Sequence, residues 1–241
     1  MRRIVLSALA ICFAGCLFAQ TDTTVKIKTK NVIPSRANDH FMIQLGATNW
    51  LNKPDSVHTT GFSRSFNFYL MMDFPFKSNP HFSVGIGPGL ATDNIFFDKT
   101  YVGLKDVTST IRFQNLSDTN HFKKYKLNTA YAEAPVELRY RFNPANDAKS
   151  VKLAVGAKVA YLLNAHTKGK TLVDKNGTTL LNYIDKQSND AFLNTTRLSG
   201  TFRLGYGHFS LFASYAITSL FKEGAGPQVH PLTIGLTVSG L

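Results

Sequence analysis

From about residue 40 onward, apolar and polar side chains alternate with a period of two in eight separate runs. That is the signature of strands whose two faces meet different surroundings. The runs span residues 41–48, 65–74, 82–89, 131–142, 152–161, 197–206, 209–218 and 232–239. The second, for example, sets Phe66, Phe68, Leu70, Met72 and Phe74 against Ser65, Asn67, Tyr69, Met71 and Asp73. In all eight runs the charged residues are Asp73, Glu133, Glu137, Arg139, Arg141, Lys152, Lys158, Arg197 and Arg203, and every one falls on the polar parity.

Alternation alone does not separate a membrane barrel from a soluble periplasmic β-sandwich, because both carry one apolar face. The connections do. Short ones (75–80, 143–150 and 205–208) alternate with long ones (49–61, 92–125, 165–190 and 220–230). Outer-membrane barrels have this asymmetry, with short periplasmic turns and long outer loops. An even strand number then leaves both chain ends on the periplasmic side. Aromatic residues near run ends, namely Trp50, Phe62, Phe74, Phe76, Phe82, Tyr140, Phe142, Tyr206, Phe209 and Phe221, fit girdles at the two lipid–water boundaries. The expected fold is therefore an all-β, transmembrane, up-and-down antiparallel barrel of about eight strands over residues 40–241, with the soluble sandwich as the alternative.

The beginning of the chain sets the compartment. Met1-Arg2-Arg3 is followed by an apolar stretch from Ile4 to Phe18 and by Ala19-Gln20, the layout of a cleaved secretory signal over 1–19. Residues 20–39 are polar and read as a flexible leader. Cleavage after Ala19 removes Cys12 and Cys16, so the mature chain has no disulfide, zinc knuckle or cysteine nucleophile. A variant reading makes Phe13-Ala14-Gly15-Cys16 a lipoprotein box with Cys16 lipidated.

Composition agrees with this picture. Only 17% of the residues are charged, few for a soluble domain. The net charge is +12, and without Arg2 and Arg3 the chain keeps 25 basic against 15 acidic residues. A secreted chain with basic residues scattered over strands and loops does not point to nucleic acid. Anionic lipid heads and lipopolysaccharide phosphates are the more natural partners.

Three stretches carry a family resemblance: Ala134 to Phe142 (APVELRYRF), Leu220 to Pro227 (LFKEGAGP) and Pro231 to Leu236 (PLTIGL). Together they resemble the PorT-like outer-membrane β-barrel proteins of the bacteroidete group, in order, from about residue 40 to the end. The resemblance implies an eight-stranded barrel, integral to the outer membrane of a Gram-negative cell. It also implies a structural or secretion-accessory role, with other envelope or secretion-system proteins as partners.

With about eight strands the interior is just wide enough for side chains to fill it. The nine inward charges are then expected to form a structural ion-pair network, since buried charges must be paired or hydrated. A narrow or gated path that binds or passes a small anion is the alternative. His81/Ser83 and His208/Ser210 each place His and Ser on one strand face, the raw material of a hydrolase. Both pairs open a strand after a short turn, with no acid adjacent in sequence to orient the His, so no catalytic site is expected. The seven histidines show no metal-ligand spacing, and no cofactor is expected. Gly85, Gly87 and Gly89 form a G-x-G-x-G run without a following helix. Small residues on the lumen side, leaving room for larger neighbours, explain it better than a phosphate loop.

Overall fold

A computed structural model describes residues 41–60 and 62–240. The signal (1–19) and the leader (20–39) lie outside the described residues. The strands are β1 (Phe41–Leu51), β2 (Arg64–Leu70), β3 (Met72–Pro75), β4 (Phe82–Ile86), β5 (Gly89–Phe97), β6 (Thr100–Val102), β7 (Phe113–Asn115), β8 (His121–Arg141), β9 (Val151–Val173), β10 (Thr179–Ser188), β11 (Thr196–Tyr206), β12 (Phe209–Ala216) and β13 (His230–Ser239).

These strands close into an antiparallel ring of eight: β1, β2 with β3, β4 with β5, β8, β9, β11, β12 and β13, the last pairing back onto β1. Strands β2 and β3 are one spanning segment, as are β4 and β5. The pairs Tyr69↔Gly89 and Met72↔Ile86 keep a single register on either side of the break. The break falls at Gly87-Pro88, where proline has no N–H for the ladder. Closure leaves no free edge among the ring strands, which is what a β-structure in lipid requires.

The orientation of the two faces decides between barrel and sandwich. The apolar parity points outward: Leu45, Leu90, Val155, Val159, Leu211 and Leu236 are 53% to 60% exposed. A sandwich would bury those positions between its sheets. Here they form an outer apolar band, and the inside of the ring holds the polar parity, which excludes the soluble reading. The three short turns lie at one end together with Phe41 and Ser239, and the four long connections lie at the other. The tightest turn, Gly207-His208, places Gly207 at φ 58°, as a two-residue hairpin favours. A side chain there would meet the Ala148 carbonyl at 2.7 Å.

Three sequence expectations need correction at the long-connection end. Segment 92–125 is not all loop, because β5 runs to Phe97 and β8 begins at His121. Segment 165–190 likewise holds the end of β9 and all of β10, which pairs with β9 from Thr179↔Val173 to Ser188↔His166. The seventh strand ends at Ala216, so Ile217 and Thr218 belong to the connection. The strands outrun the apolar band because above it both faces are polar or loop-covered, and the two-residue contrast fades while the backbone ladder persists.

A fourth correction concerns the girdle. Phe62, Phe74, Phe76, Phe142, Tyr206 and Phe209 are exposed on the outside, but Trp50 and Phe221 are buried against each other, with rings edge to face at 5.9 Å. They belong to an apolar core that seals the outer end of the barrel, with Val57, Phe97, Val102, Leu104, Ile111, Phe192, Leu193 and Val229. Four connections feed this cap, and backbone bonds stitch them together: Ile111 N–H to the Ala225 carbonyl (2.8 Å) and Lys222 N–H to the Phe192 carbonyl (2.9 Å). Asn194 Nδ2 adds bonds to the Ser219 and Phe221 carbonyls at 2.8 and 2.9 Å.

Candidate functional site: the charged lumen

All nine charged residues named from the sequence are buried inside the ring. They fall into two tiers. Nearest the short turns, Arg139 Nε contacts Glu137 Oε2 at 3.0 Å and Arg139 Nη1 approaches Asp73 Oδ1 at 3.5 Å. Arg141 Nη2 reaches Asp73 Oδ2 at 3.0 Å, and Arg203 Nη2 reaches Glu137 Oε2 at 2.7 Å. Strand periodicity places Glu137, Arg139 and Arg141 on one face of β8, and β3 and β11, each one strand further round the ring, bring Asp73 and Arg203 to them. Lys152 is buried in this tier, where it lines a void with Arg139, Arg141, Arg203 and Ser210.

The second tier centres on Glu133. It accepts from Tyr69 Oη (2.6 Å), Lys158 Nζ (3.0 Å) and Arg197 Nη2 (2.9 Å). Arg197 also donates to Asp93 Oδ2 at 2.8 Å, and its guanidinium lies 3.9 Å from the centre of the Tyr131 ring. A carboxylate with three donors and a guanidinium held by two carboxylates and a ring is what burial of charge demands. On the far wall the polar side chains are neutral. Asn67 donates to Gln44 (3.2 Å), Gln44 to Thr237 (3.1 Å), and Thr48 and Thr233 share a bond at 2.9 Å.

Asp93, Tyr69 and Tyr131 are parts of this constellation that charge and run boundaries missed. The two tyrosines lie on the polar parity but carry no charge. Asp93 lay in what reads as a loop. Counting on by two from Gly85, Gly87, Gly89 and Ala91 reaches Asp93 on the lumen side, so the same period extended past Leu90 would have found it.

The glycine run has a steric role. A side chain at Gly85 would sit 2.5 Å from the Arg139 guanidinium, and one at Gly89 would sit 2.1 Å from the Tyr69 ring. These positions are small because arginine and tyrosine cross the lumen beside them. The void between Arg139, Arg141, Lys152 and Arg203 offers about 10 Å³, room for the centre of one water.

The histidines of the two His/Ser pairs hold the main chain. His81 Nδ1 lies 2.7 Å from the Arg141 carbonyl and stacks on Tyr140, and His208 Nδ1 lies 3.0 Å from the Ser239 carbonyl. Among the described residues no group of three or more His, Cys, Asp or Glu is placed to hold a metal ion. In the outer cap, burial and then the bond to Asp106 raise the Tyr101 phenol above its usual pKa.

A closed antiparallel ring, apolar outside, charged inside and asymmetric in its connections, defines an integral outer-membrane β-barrel. The chain belongs to the family described as outer membrane protein beta-barrel domain, whose model matches residues 18–223. Among solved structures it is similar to the attachment invasion locus protein Ail of Yersinia pestis. The structure of Ail in complex with the heparin analogue sucrose octasulfate is 16% identical, with a TM-score of 0.37, over 83% of this chain and 94% of that one. A second Ail structure is 14% identical, with a TM-score of 0.34, over the same shares. No curated protein matches the chain.

Proposed function

We propose that this barrel is a non-conducting, non-enzymatic anchor of the outer membrane. Its role would be structural or secretion-accessory, of the PorT-like kind, and its outer platform would meet other envelope or secretion-system proteins. The supporting observation is a lumen filled across its width by paired charges, with a void of about 10 Å³ at its basic tier and an apolar cap over its outer end. An eight-stranded ring offers little more room than its side chains occupy. The platform is built from the extended outer parts of β8 and β9, from β10, and from the small β6–β7 sheet. Outer-membrane lipid and lipopolysaccharide are the surrounding partners.

Purified protein in planar bilayers tests the reading: no discrete conductance steps are expected. Steps with anion selectivity would replace the anchor by the gated-path reading, with the basic tier of Arg139, Arg141, Lys152 and Arg203 as its filter. Lipid A chemistry unchanged on deletion of the protein is the expected result for a barrel without catalysis.

A further inference from the structure

Just beyond the apolar band, the outward face of the barrel carries a row of lysines in register. Lys126 on β8 pairs directly with Lys168 on β9, and Lys168 pairs directly with Lys186 on β10. Like charges directly opposite each other across an antiparallel pair are destabilising, yet here three stand side by side. The row above continues with Lys124↔Lys170. The row below, Asn94↔Asn128↔His166, is polar and uncharged or weakly basic. On the β5 side, Phe96 is the register partner of Lys126. Its ring lies 5.7 Å from Lys126 Nζ and 6.0 Å from the Arg64 guanidinium carbon. Lys126 is held at 2.6 Å by the Asn94 side-chain oxygen. Among the described residues no carboxylate forms an ion pair with Arg64, Lys126, Lys168, Lys170 or Lys186. Asp185 lies on the opposite parity of β10 from Lys186.

The height of the row identifies what it faces. Along β9 the outward residues are Val159, Tyr161 and Leu163, all at least half exposed, and then His166, Lys168 and Lys170. The chain passes from hydrocarbon to headgroup between Leu163 and His166. The row therefore stands at the headgroup level of the outer leaflet, where the phosphates of lipid A lie. Half-buried lysine stems can lie along the apolar wall while their ammonium groups reach the phosphates. We propose that Lys126, Lys168 and Lys186, flanked by Lys170 and Arg64, form a binding site for the phosphate groups of a lipid A-type glycolipid. The proposal rests on the lipid partner named above and assigns it residues. A bound phosphate lying across the three strands would offset the repulsion that the ladder otherwise carries.

The test compares wild type with K126Q/K168Q/K186Q and with a control, K77Q/K105Q/K149Q, that removes the same charge from exposed sites elsewhere. Each detergent-solubilised, heat-modifiable protein is titrated with bisphosphorylated lipid A, with the same lipid freed of phosphate, and with inorganic phosphate as competitor. Each lysine near an anionic surface contributes about 1 kcal/mol, so the ladder variant should bind bisphosphorylated lipid A on the order of 100-fold more weakly than wild type. The control should bind as wild type does, and phosphate-free lipid should bind all three proteins equally. Equal binding of the phosphorylated lipid by wild type and the ladder variant would overturn the site and leave the lipid partner standing. No preference of wild type for the phosphorylated lipid would overturn both. Full competition by inorganic phosphate at equimolar concentration would make it a free-anion site and overturn the lipid assignment. Loss of three like charges does not threaten folding, and retention of the heat-dependent gel shift by the variant checks this.

Discussion

Asp93 and Arg197 meet at 2.8 Å inside the barrel although 104 residues separate them in the chain. Neither charge lies within its own strand's reach of a partner. Asp93 enters from β5, Arg197 from β11, and the carboxylate of Glu133 on β8 takes the second guanidinium nitrogen at 2.9 Å. Arg197 reaches both carboxylates past the intervening β9, so the tier couples β11 to β5 and β8, strands with which it shares no hydrogen bonds.

Breaking this coupling has a measurable cost. Removing one partner of a buried ion pair typically costs about 3–5 kcal/mol. D93N retains a hydrogen-bond acceptor and leaves Arg197 its bond to Glu133, so a loss of about 2–3 kcal/mol is expected for it. E133Q removes the negative charge on which Tyr69, Lys158 and Arg197 converge and should cost more than D93N. Equilibrium urea unfolding in a bilayer or detergent measures both. An E133Q protein as stable as wild type would mean that the tier contributes no stability.

The glycine run gives a second, purely steric prediction. G85V pushes a branched side chain into the Arg139 guanidinium, which a Cβ alone would approach to 2.5 Å. Overpacking of this kind costs roughly 1–3 kcal/mol. At Gly200 a Cβ would meet nothing within 4 Å, so G200A should fold with unchanged stability. The pair of unfolding curves separates lumen crowding from a general intolerance of strand substitutions.

The cap makes a third. Trp50 is buried against Phe97 and Phe221, with ring centres 5.5 and 5.9 Å away. Truncating a buried Trp costs about 3–5 kcal/mol. In W50A that loss should appear as local opening of the outer connections, because the spanning ladders are untouched. Limited proteolysis of intact cells should cut W50A within residues 98–120 or 217–229 faster than wild type, with heat modifiability kept. If the outer connections of W50A resist protease as wild type does, Trp50 is not what holds the cap shut.

All eight ring strands were legible in the sequence because each crosses from one medium to another on its two faces, and the period of two records that contrast residue by residue. The ends of the strands were not. Past Leu90 on β5 and before Tyr131 on β8 the outward side chains turn polar (Thr92, Asn94, Lys126, Asn128), so both faces look alike although the ladder continues from Gly89↔Glu133 to Phe97↔Tyr125. Trp50 read as a girdle residue because it ends a run. Its parity, shared with Gln44 and Thr48, already pointed inward.

The sequence by itself determined the strand count, the handedness of in and out at each spanning position, and the end of the barrel that carries the long connections. All of these follow from local alternation and spacing. The tertiary structure decided three further things: which charge neutralises which, that the outer loops pack into an apolar cap, and that Lys126, Lys168 and Lys186 stand in one row. Each depends on how different strands and connections meet in space. Register is set only when one strand pairs with another, and no local pattern within one strand encodes it.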